Sequence, residues 1–396
     1  MNSKYNFLFI STADWDNPFW TNKQHMAKIL SEQGHKVLYF ESLGLRSPTS
    51  SSKNDRKRIY KRLVKFFKGP RKINENLHVF SPIVIPKHNH TFISWLNNLL
   101  MKVYILVLGR LFLGTGPIFY WTYNPLSIDF LSNDPVIYHC VDDLSAAPGM
   151  PIERIKAKEE ELVKKAKLTF VTSLSLLDKL QTIQKNTVHY FPNVAEMSHF
   201  SKALEDLERP DDMINFDGPI LGFVGAISSY KVDFNLIKLM AQRFQYADII
   251  LIGEIGEGQP DTNIKILEDI PNIHLLGPKS YSDLPRYLKY FDVALLPCTL
   301  NDYTKSMFPM KFFEYLAAER KVVATKLESL QEFSDCCYIA NSDEDFLNGV
   351  EKALNNDLIH FCNKERVKKV VLENTWENRT QKMLLLIKMK FSNEQH

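Results

Sequence analysis

The sequence predicts an α/β protein of two doubly wound, parallel-sheet domains, and three observations carry that prediction. Strand-length runs that are apolar at nearly every position recur along the chain, as strands buried on both faces require. Helical patterns lie between them. The alternation comes in two series, separated by an acidic stretch with no clear period. At 396 residues the chain is long enough for two such domains.

The first series begins with "YNFLFIS" at Tyr5, then "KVLYFE" at Lys36, "LHVFS" at Leu77 and "PIFYW" at Pro117. It continues with "PVIYHC" at Pro135, "LTFVTS" at Leu168 and "TVHYF" at Thr187. Helical spacing is clear over Pro18–Gln33 and Glu153–Lys165. The stretch "EDLERPDDMINFDGP" carries Pro and Gly without periodicity and reads as a linker, 205–218. The second series runs "PILGFVG" at Pro219, "DIILIG" at Asp248, "NIHLLG" at Asn272, "DVALLP" at Asp292, "KVVAT" at Lys321 and "CCYIA" at Cys336. This divides the chain into a first domain at 1–204, a second at 219–375 and a closing helix at 376–396.

Composition narrows the class. The amino-terminal "MNSKYNFLFISTADWD" has a strand-length apolar run with no cleavage pattern behind it, so no signal peptide is expected. The cysteines Cys140, Cys298, Cys336, Cys337 and Cys362 are odd in number and form no CxxC pair. That points to a reducing compartment and away from a zinc site or disulfide framework. Residues 1–195 hold 26 Lys and Arg against 15 Asp and Glu, a net +11, whereas 196–396 hold 23 against 31, a net −8. Ten basic residues and one acid lie between Lys53 and Lys72, interleaved with Ile59, Tyr60, Leu63, Val64, Phe66 and Phe67. Such a segment suits an anionic membrane surface, or else is a solvated loop. No nucleic acid partner is expected. The apolar run Ile93–Leu113 is interrupted by Asn97, Asn98, Lys102 and Arg110, and reads as a buried or interfacial helix rather than a span.

Ligands of such sheets bind outside the carboxyl ends of the strands, which selects the candidate residues. In "PMKFFEYLAAERKVVAT", Pro309 suits the first turn of a helix, with Ser306 or Thr304 as its cap. Lys311 supplies positive charge for a phosphate, and Glu314 accepts hydrogen bonds as ribose hydroxyls require. The competing reading is an exposed ion pair. Gly225 ends the strand in "GFVGAISSYK" where a ligand can approach the backbone, with Lys231 six residues on. "GEIGEG" lacks the order of a dinucleotide loop, and Glu254 and Glu257 would repel a pyrophosphate. Asp142 and Asp143 follow "PVIYHC" and suit a general base, though Asp143 or Ser145 could equally cap a helix. No third ligand for a metal is evident beside them. Asp14, Trp15, Trp20 and His25 offer aromatic faces and polar groups for a sugar, or simply pack their loop.

These motifs resemble the GT-B-fold glycosyltransferases. The likeness is carried by "DWDNPFW…QHMAKILSEQGHKVLYFE", "YHCVDDLSAAPG", "FVGAISSYK", "NIHLLGPKSYSDLPRYLKYFDVALLPC" and "PMKFFEYLAAERKVVAT". Within that class the chain is most similar to polysaccharide-biosynthesis enzymes that include teichuronic-acid transferases and, more distantly, the xanthan glucuronosyltransferase. The resemblance implies two Rossmann-like domains facing across a cleft, with the closing helix crossing back to the first. It implies a nucleotide-sugar donor, held with Gly225, Lys231 and Ser306, its ribose on Glu314 and its diphosphate on Lys311. It implies no cofactor and no metal. Ser306 stands where many retaining members carry a second Glu, and Ala226 where they carry Arg. "AAERK" replaces their usual "AAGKP". These departures agree with an inverting reaction in which Asp142 or Asp143 is the base.

The expected protein is therefore a hexosyl- or uronosyltransferase at the inner face of the cell membrane. Its donor is a nucleotide sugar, of the UDP class by expectation, and its acceptor a lipid-linked or growing saccharide in capsule, O-antigen or exopolysaccharide synthesis, with Asp14, Trp15 and His25 on the acceptor side. A nucleotide-sugar epimerase of the same fold and a non-catalytic membrane-surface scaffold are the alternatives.

Overall fold

The computed structural model describes residues 4–17, 20–43, 53–85, 91–131, 135–259, 261–357 and 364–392, with the backbone alone at 53–58 and 392. The chain divides into two compact units. The first holds Met1–Val171, Leu176–Phe191 and Thr380–His396; the second holds Thr172–Ser175 and Pro192–Arg379.

Among the described residues the first unit has eight strands: β1 (Asn6–Ile10), β2 (Lys36–Phe40), β3 (Arg71–Asn74), β4 (Leu77–Phe80), β5 (Ile118–Thr122), β6 (Val136–Cys140), β7 (Leu168–Val171) and β8 (Val188–Tyr190). Their order is β3-β4-β2-β1-β5-β6-β7-β8. All neighbours are parallel except β3, which lies antiparallel on β4. That edge strand, "RKIN", is polar and short, so no apolar run announces it. One face of the sheet packs Leu8, Leu38 and Tyr120 against Met101, Ile105 and Leu162 of the helices Thr91–Phe112 and Ile152–Lys165. The other face is aromatic, with the Phe9 and Trp121 rings stacked at 5.3 Å and 9°. The helix Asn22–Glu32 starts later than its pattern suggests: Thr21 is its cap, in a reciprocal capping box with Gln24. Pro18, the expected start, lies outside the described residues.

The second unit has six strands among the described residues: β9 (Ile220–Val224), β10 (Asp248–Ile252), β11 (Ile273–Gly277), β12 (Val293–Leu296), β13 (Lys321–Thr325) and β14 (Tyr338–Ala340). They run parallel in the order β11-β10-β9-β12-β13-β14. Helices cover both faces, Lys311–Ala317 on one and Phe234–Arg243 with Asp343–Leu354 on the other. Gly222 is required here, since a Cβ on it would meet the Phe291 ring at 2.2 Å.

The stretch 205–218, read as a linker from its composition, is held against the second unit. Lys279 Nζ pairs with Asp212 at 2.6 Å, and the Tyr287 and Tyr290 hydroxyls donate to Asp212 and to the Leu207 carbonyl at 2.9 and 2.8 Å. Its acids face cations of the helix Leu284–Lys289 and the turn before it, a pairing between segments far apart in sequence. The contact boundary accordingly falls at Pro192. At the other end, Thr380 donates to Met26 Sδ at 3.3 Å and Phe391 packs edge-on to Phe119 at 5.0 Å, so the closing helix Trp376–Ser392 ends within the first unit.

Candidate functional site

In the second unit the strand order reverses between β9 and β12, and a doubly wound sheet opens its binding crevice at that point. The loops after these two strands are joined by backbone. Val232 pairs antiparallel with Cys298, Thr299 N–H donates to the Lys231 carbonyl at 3.0 Å, and the Asn301 amide donates to the Tyr230 carbonyl at 2.8 Å. Gly225 N–H donates to the Ile252 carbonyl at 2.9 Å, and the β10 turn packs so closely that a Cβ on Gly253 would sit 1.7 Å from the Gly225 oxygen. Lys231 Nζ lies over the Tyr230 and Tyr303 rings at 5.3 and 5.8 Å. Such cation–π contacts hold a charge in place without neutralising it.

The chain then enters Asp302–Lys305, a short helix capped by Asn301. Thr304 completes that helix's capping box and Ser306 closes its carboxyl end, which corrects their expected role as caps for the turn at Pro309. Ser306 is buried, its carbonyl accepting from Ser173 Oγ at 3.0 Å. The helix Lys311–Ala317 begins without a side-chain cap. Lys311 Nζ and Glu314 Oε2 are 2.7 Å apart, and Glu314 is only 2% exposed. The pair is thus part-buried, Glu314 fully and Lys311 partly, and its attraction is less screened than that of a surface pair. The next residue fixes its position: the Tyr315 hydroxyl accepts from Val224 N–H at 2.8 Å, at the last residue of β9.

Gly225, Lys231, Ser306, Lys311 and Glu314 therefore all lie in the two connections that flank the switch point. Three more residues of this unit join them. Tyr281 donates to Glu196 at 3.3 Å and stacks on His199 at 4.4 Å and 12°. Burial, then the negative charges of Glu314 and Glu196, push the Tyr281 phenol well above its ordinary range. Sequence reasoning passed over Glu196, His199 and Tyr281: the first two sit three apart on one short helical turn, but Tyr281 reaches them from more than eighty residues on.

The first unit's order reverses between β1 and β5. Asp14 and Trp15 follow β1, and Asp142 and Asp143 follow β6, one strand beyond β5. The two aspartates differ. Asp143 caps the turn Leu144–Ala146, accepting from Ser145 N–H at 3.0 Å and Ser145 Oγ at 2.6 Å, while Lys179 Nζ approaches its other oxygen at 2.9 Å. Burial alone would raise its carboxyl, but the bonds from Ser145 and Lys179 outweigh it and hold the group below the ordinary value. Lys179 also pairs with the buried Glu159 at 3.0 Å, which accepts from the Tyr138 hydroxyl at 2.6 Å. Asp143 is thus a poor proton acceptor; Asp142 lies half-buried beside it.

Trp15 is 6% exposed, its ring set against Trp20 at 5.1 Å and Tyr39 at 5.2 Å, and its backbone N–H donates to Glu41 at 2.9 Å. His25 is buried edge-on to Trp20 at 5.4 Å. Both rings pack the loop onto the helix, so neither presents an open aromatic face. Asp14 is nearer solvent, with Arg62 Nη2 at 3.4 Å. Lys65 binds Asp16 and Glu41 at 3.0 and 2.9 Å, and Arg71 binds Asp16 at 2.7 Å. Part of the basic run 53–72 is thus neutralised within its own unit. Among the described residues no three His, Cys, Asp or Glu side chains cluster as metal ligands would.

Residues 218–356 match the model of the family "Glycosyl transferases group 1". Over 219 residues the chain is 31% identical to TuaH of Bacillus subtilis (strain 168), a protein named as a teichuronic acid biosynthesis glycosyltransferase; the match covers 52% of this chain and 54% of that protein, about half of its length. In structure the chain is similar to sucrose-phosphate synthase from Thermosynechococcus elongatus, with a TM-score of 0.71, 13% identity and coverage of 99% and 100% of the two chains. It is similar to a glycosyltransferase from Rickettsia africae, with a TM-score of 0.68, 14% identity and coverage of 98% and 99%. It is also similar to HepE of Anabaena in complex with UDP, with a TM-score of 0.67, 13% identity and coverage of 98% and 100%. Residues 218–356 are accordingly a glycosyl transferases group 1 domain, set in a chain that has the two-domain α/β fold of the GT-B glycosyltransferases.

Proposed function

We propose that the chain is a glycosyltransferase of polysaccharide biosynthesis that moves a sugar from a UDP-sugar to a lipid-linked or growing saccharide. The observation that carries this reading is the part-buried Lys311–Glu314 pair, tied through Tyr315 to the end of β9 at the switch point. A cation for the diphosphate and a carboxylate for the ribose hydroxyls then stand side by side. The UDP in the HepE complex supports that choice of donor. Glu314 would release Lys311 as the nucleotide enters, exchanging an internal pair for one with each partner. Asp142 would take the acceptor proton, and no metal or cofactor would take part. The enzyme would work in the cytoplasm, at the inner face of the membrane.

The test is a thermal-shift screen of UDP-, GDP- and dTDP-sugars, followed by product analysis of the best donor. Stabilisation by a UDP-sugar with slow release of UDP is expected. Isomerised sugar would mark an epimerase instead. Absence of any nucleotide-dependent shift would overturn the reading.

A further inference from the structure

The helix Thr91–Phe112 is, among the described residues, the one helix long and apolar enough to cross a bilayer, yet one of its faces belongs to the core. Asn97, Met101, Ile105 and Gly109 recur every four residues and are all buried. Asn97 both donates to and accepts from the Ile85 backbone, at 2.8 Å each way. The opposite face is open: Phe92, Trp95 and Leu111 are 69%, 58% and 69% exposed, with Leu99, Val103 and Leu106 between them. Beside it, the helix Lys53–Phe67 exposes Ile59, Tyr60, Leu63 and Phe67, the last to 81%. The Phe66 and Tyr104 rings, 5.9 Å apart, link the two helices.

So many exposed apolar side chains on two touching helices of a folded unit need an occupant. We propose that it is an anionic lipid bilayer, into whose interfacial layer the unit inserts the outer face of Thr91–Phe112 and the adjoining stripe of Lys53–Phe67. This deepens the membrane part of the function proposed above and rests on that reading only for its purpose. Charge selects the occupant. Thr91–Phe112 contains no Asp or Glu, its Lys102 and Arg110 are exposed, and so are Lys61 and Lys68 of the adjoining segment. A second copy of the chain would set these cations against each other, because a two-fold interface repeats the same patch on both sides. Anionic headgroups attract them. Trp95 and Tyr60 are of the type that settles at the headgroup level. A span is disfavoured by the inward face, which would have to leave the core and carry Asn97 into hydrocarbon without its Ile85 partners.

The experiment uses the full chain and vesicles of phosphatidylcholine, with or without phosphatidylglycerol, at 0.1 M and 1 M NaCl. Electrostatic docking alone is lost at 1 M, where the Debye length is about 3 Å. Insertion predicts that anionic vesicles still retain the protein at 1 M NaCl. The exposed-face variant Trp95→Ser/Leu106→Ser/Leu111→Ser should then bind at least tenfold more weakly, with circular dichroism and the UDP-induced thermal shift unchanged. Bromines near the lipid carbonyls should quench the fluorescence lost in Trp95→Phe more than bromines at the chain ends. Equal vesicle binding by the variant, complete release of the native chain at 1 M NaCl, or quenching confined to the chain ends would overturn the proposal. So would a concentration-dependent dimer that the variant abolishes. Loss of the UDP response with vesicle binding intact would instead defeat the proposed function and leave the insertion standing.

Discussion

The carboxyl-end rims of the two sheets are built differently. In the second unit the loops after β9 and β12 are locked by backbone pairing, by the Gly225–Gly253 approach and by the Tyr315–Val224 bond. In the first unit the rim is held by charged side chains: Asp143 with Lys179 and Glu159, and Asp14, Asp16 and Glu41 with Arg62, Lys65 and Arg71. Backbone locking leaves little to reorganise when a ligand arrives, which suits the fixed diphosphate and ribose of a nucleotide. A rim of side chains responds to pH and can be re-shaped one residue at a time, which suits an acceptor.

The largest expected effect sharpens that contrast. Asp142→Asn should lower turnover by about 10²–10⁴ while nucleotide affinity holds, since it removes the proposed base and leaves the proposed donor residues intact. Steady-state rates with calorimetry on the same variant measure both. A dead Asp143→Asn with an active Asp142→Asn would reverse the proposed roles.

Gly253→Ala attacks the backbone lock, because its Cβ meets the Gly225 carbonyl at 1.7 Å. A loss of roughly 3 kcal/mol in stability is expected, with weakened nucleotide binding, read by urea denaturation and calorimetry. Glu314→Ala should cost nucleotide binding about 1–3 kcal/mol, the scale of a hydrogen bond to a charged group, and unchanged affinity would defeat the assignment.

On the first rim, Asp143 gives a pH signature. Its carboxyl lies below the ordinary 3.8, so it adds stability that is full above that value and is lost as pH falls through the folded value. Asp143→Asn should cost about 1–3 kcal/mol at pH 7, and the gap to the native chain should close in acid; urea melts at both pH values decide it. The smallest effect concerns the turn after Lys311–Ala317. Glu319 sits there at φ 53°, and the Arg320 guanidinium bonds the Ala318, Lys289 and Phe291 carbonyls nearby. Glu319→Gly should stabilise by about 1 kcal/mol, because a left-handed backbone strains any residue with a Cβ.

Most of the fold was legible because buried parallel strands must be apolar on both faces. The thirteen apolar runs each contain a strand, and among the described residues only polar β3 went unseen. The spacing of Lys311 and Glu314 on one helix face was legible too, since three residues make most of a turn. Their burial was not, because it depends on Tyr315 reaching β9, ninety-one residues away. Nor could spacing separate Asp142 from Asp143: Lys179, thirty-six residues on, engages Asp143.

The sequence by itself determined which segments become strands and helices, and hence which loops reach a switch point, because periodicity and turn chemistry act locally. Tertiary structure alone decided which charges are buried, that Lys179 reaches Asp143, and which face of Thr91–Phe112 remains open. Those properties are set by neighbours from distant segments, and the free energy of a charge or an apolar face depends on what surrounds it rather than on where it stands in the chain.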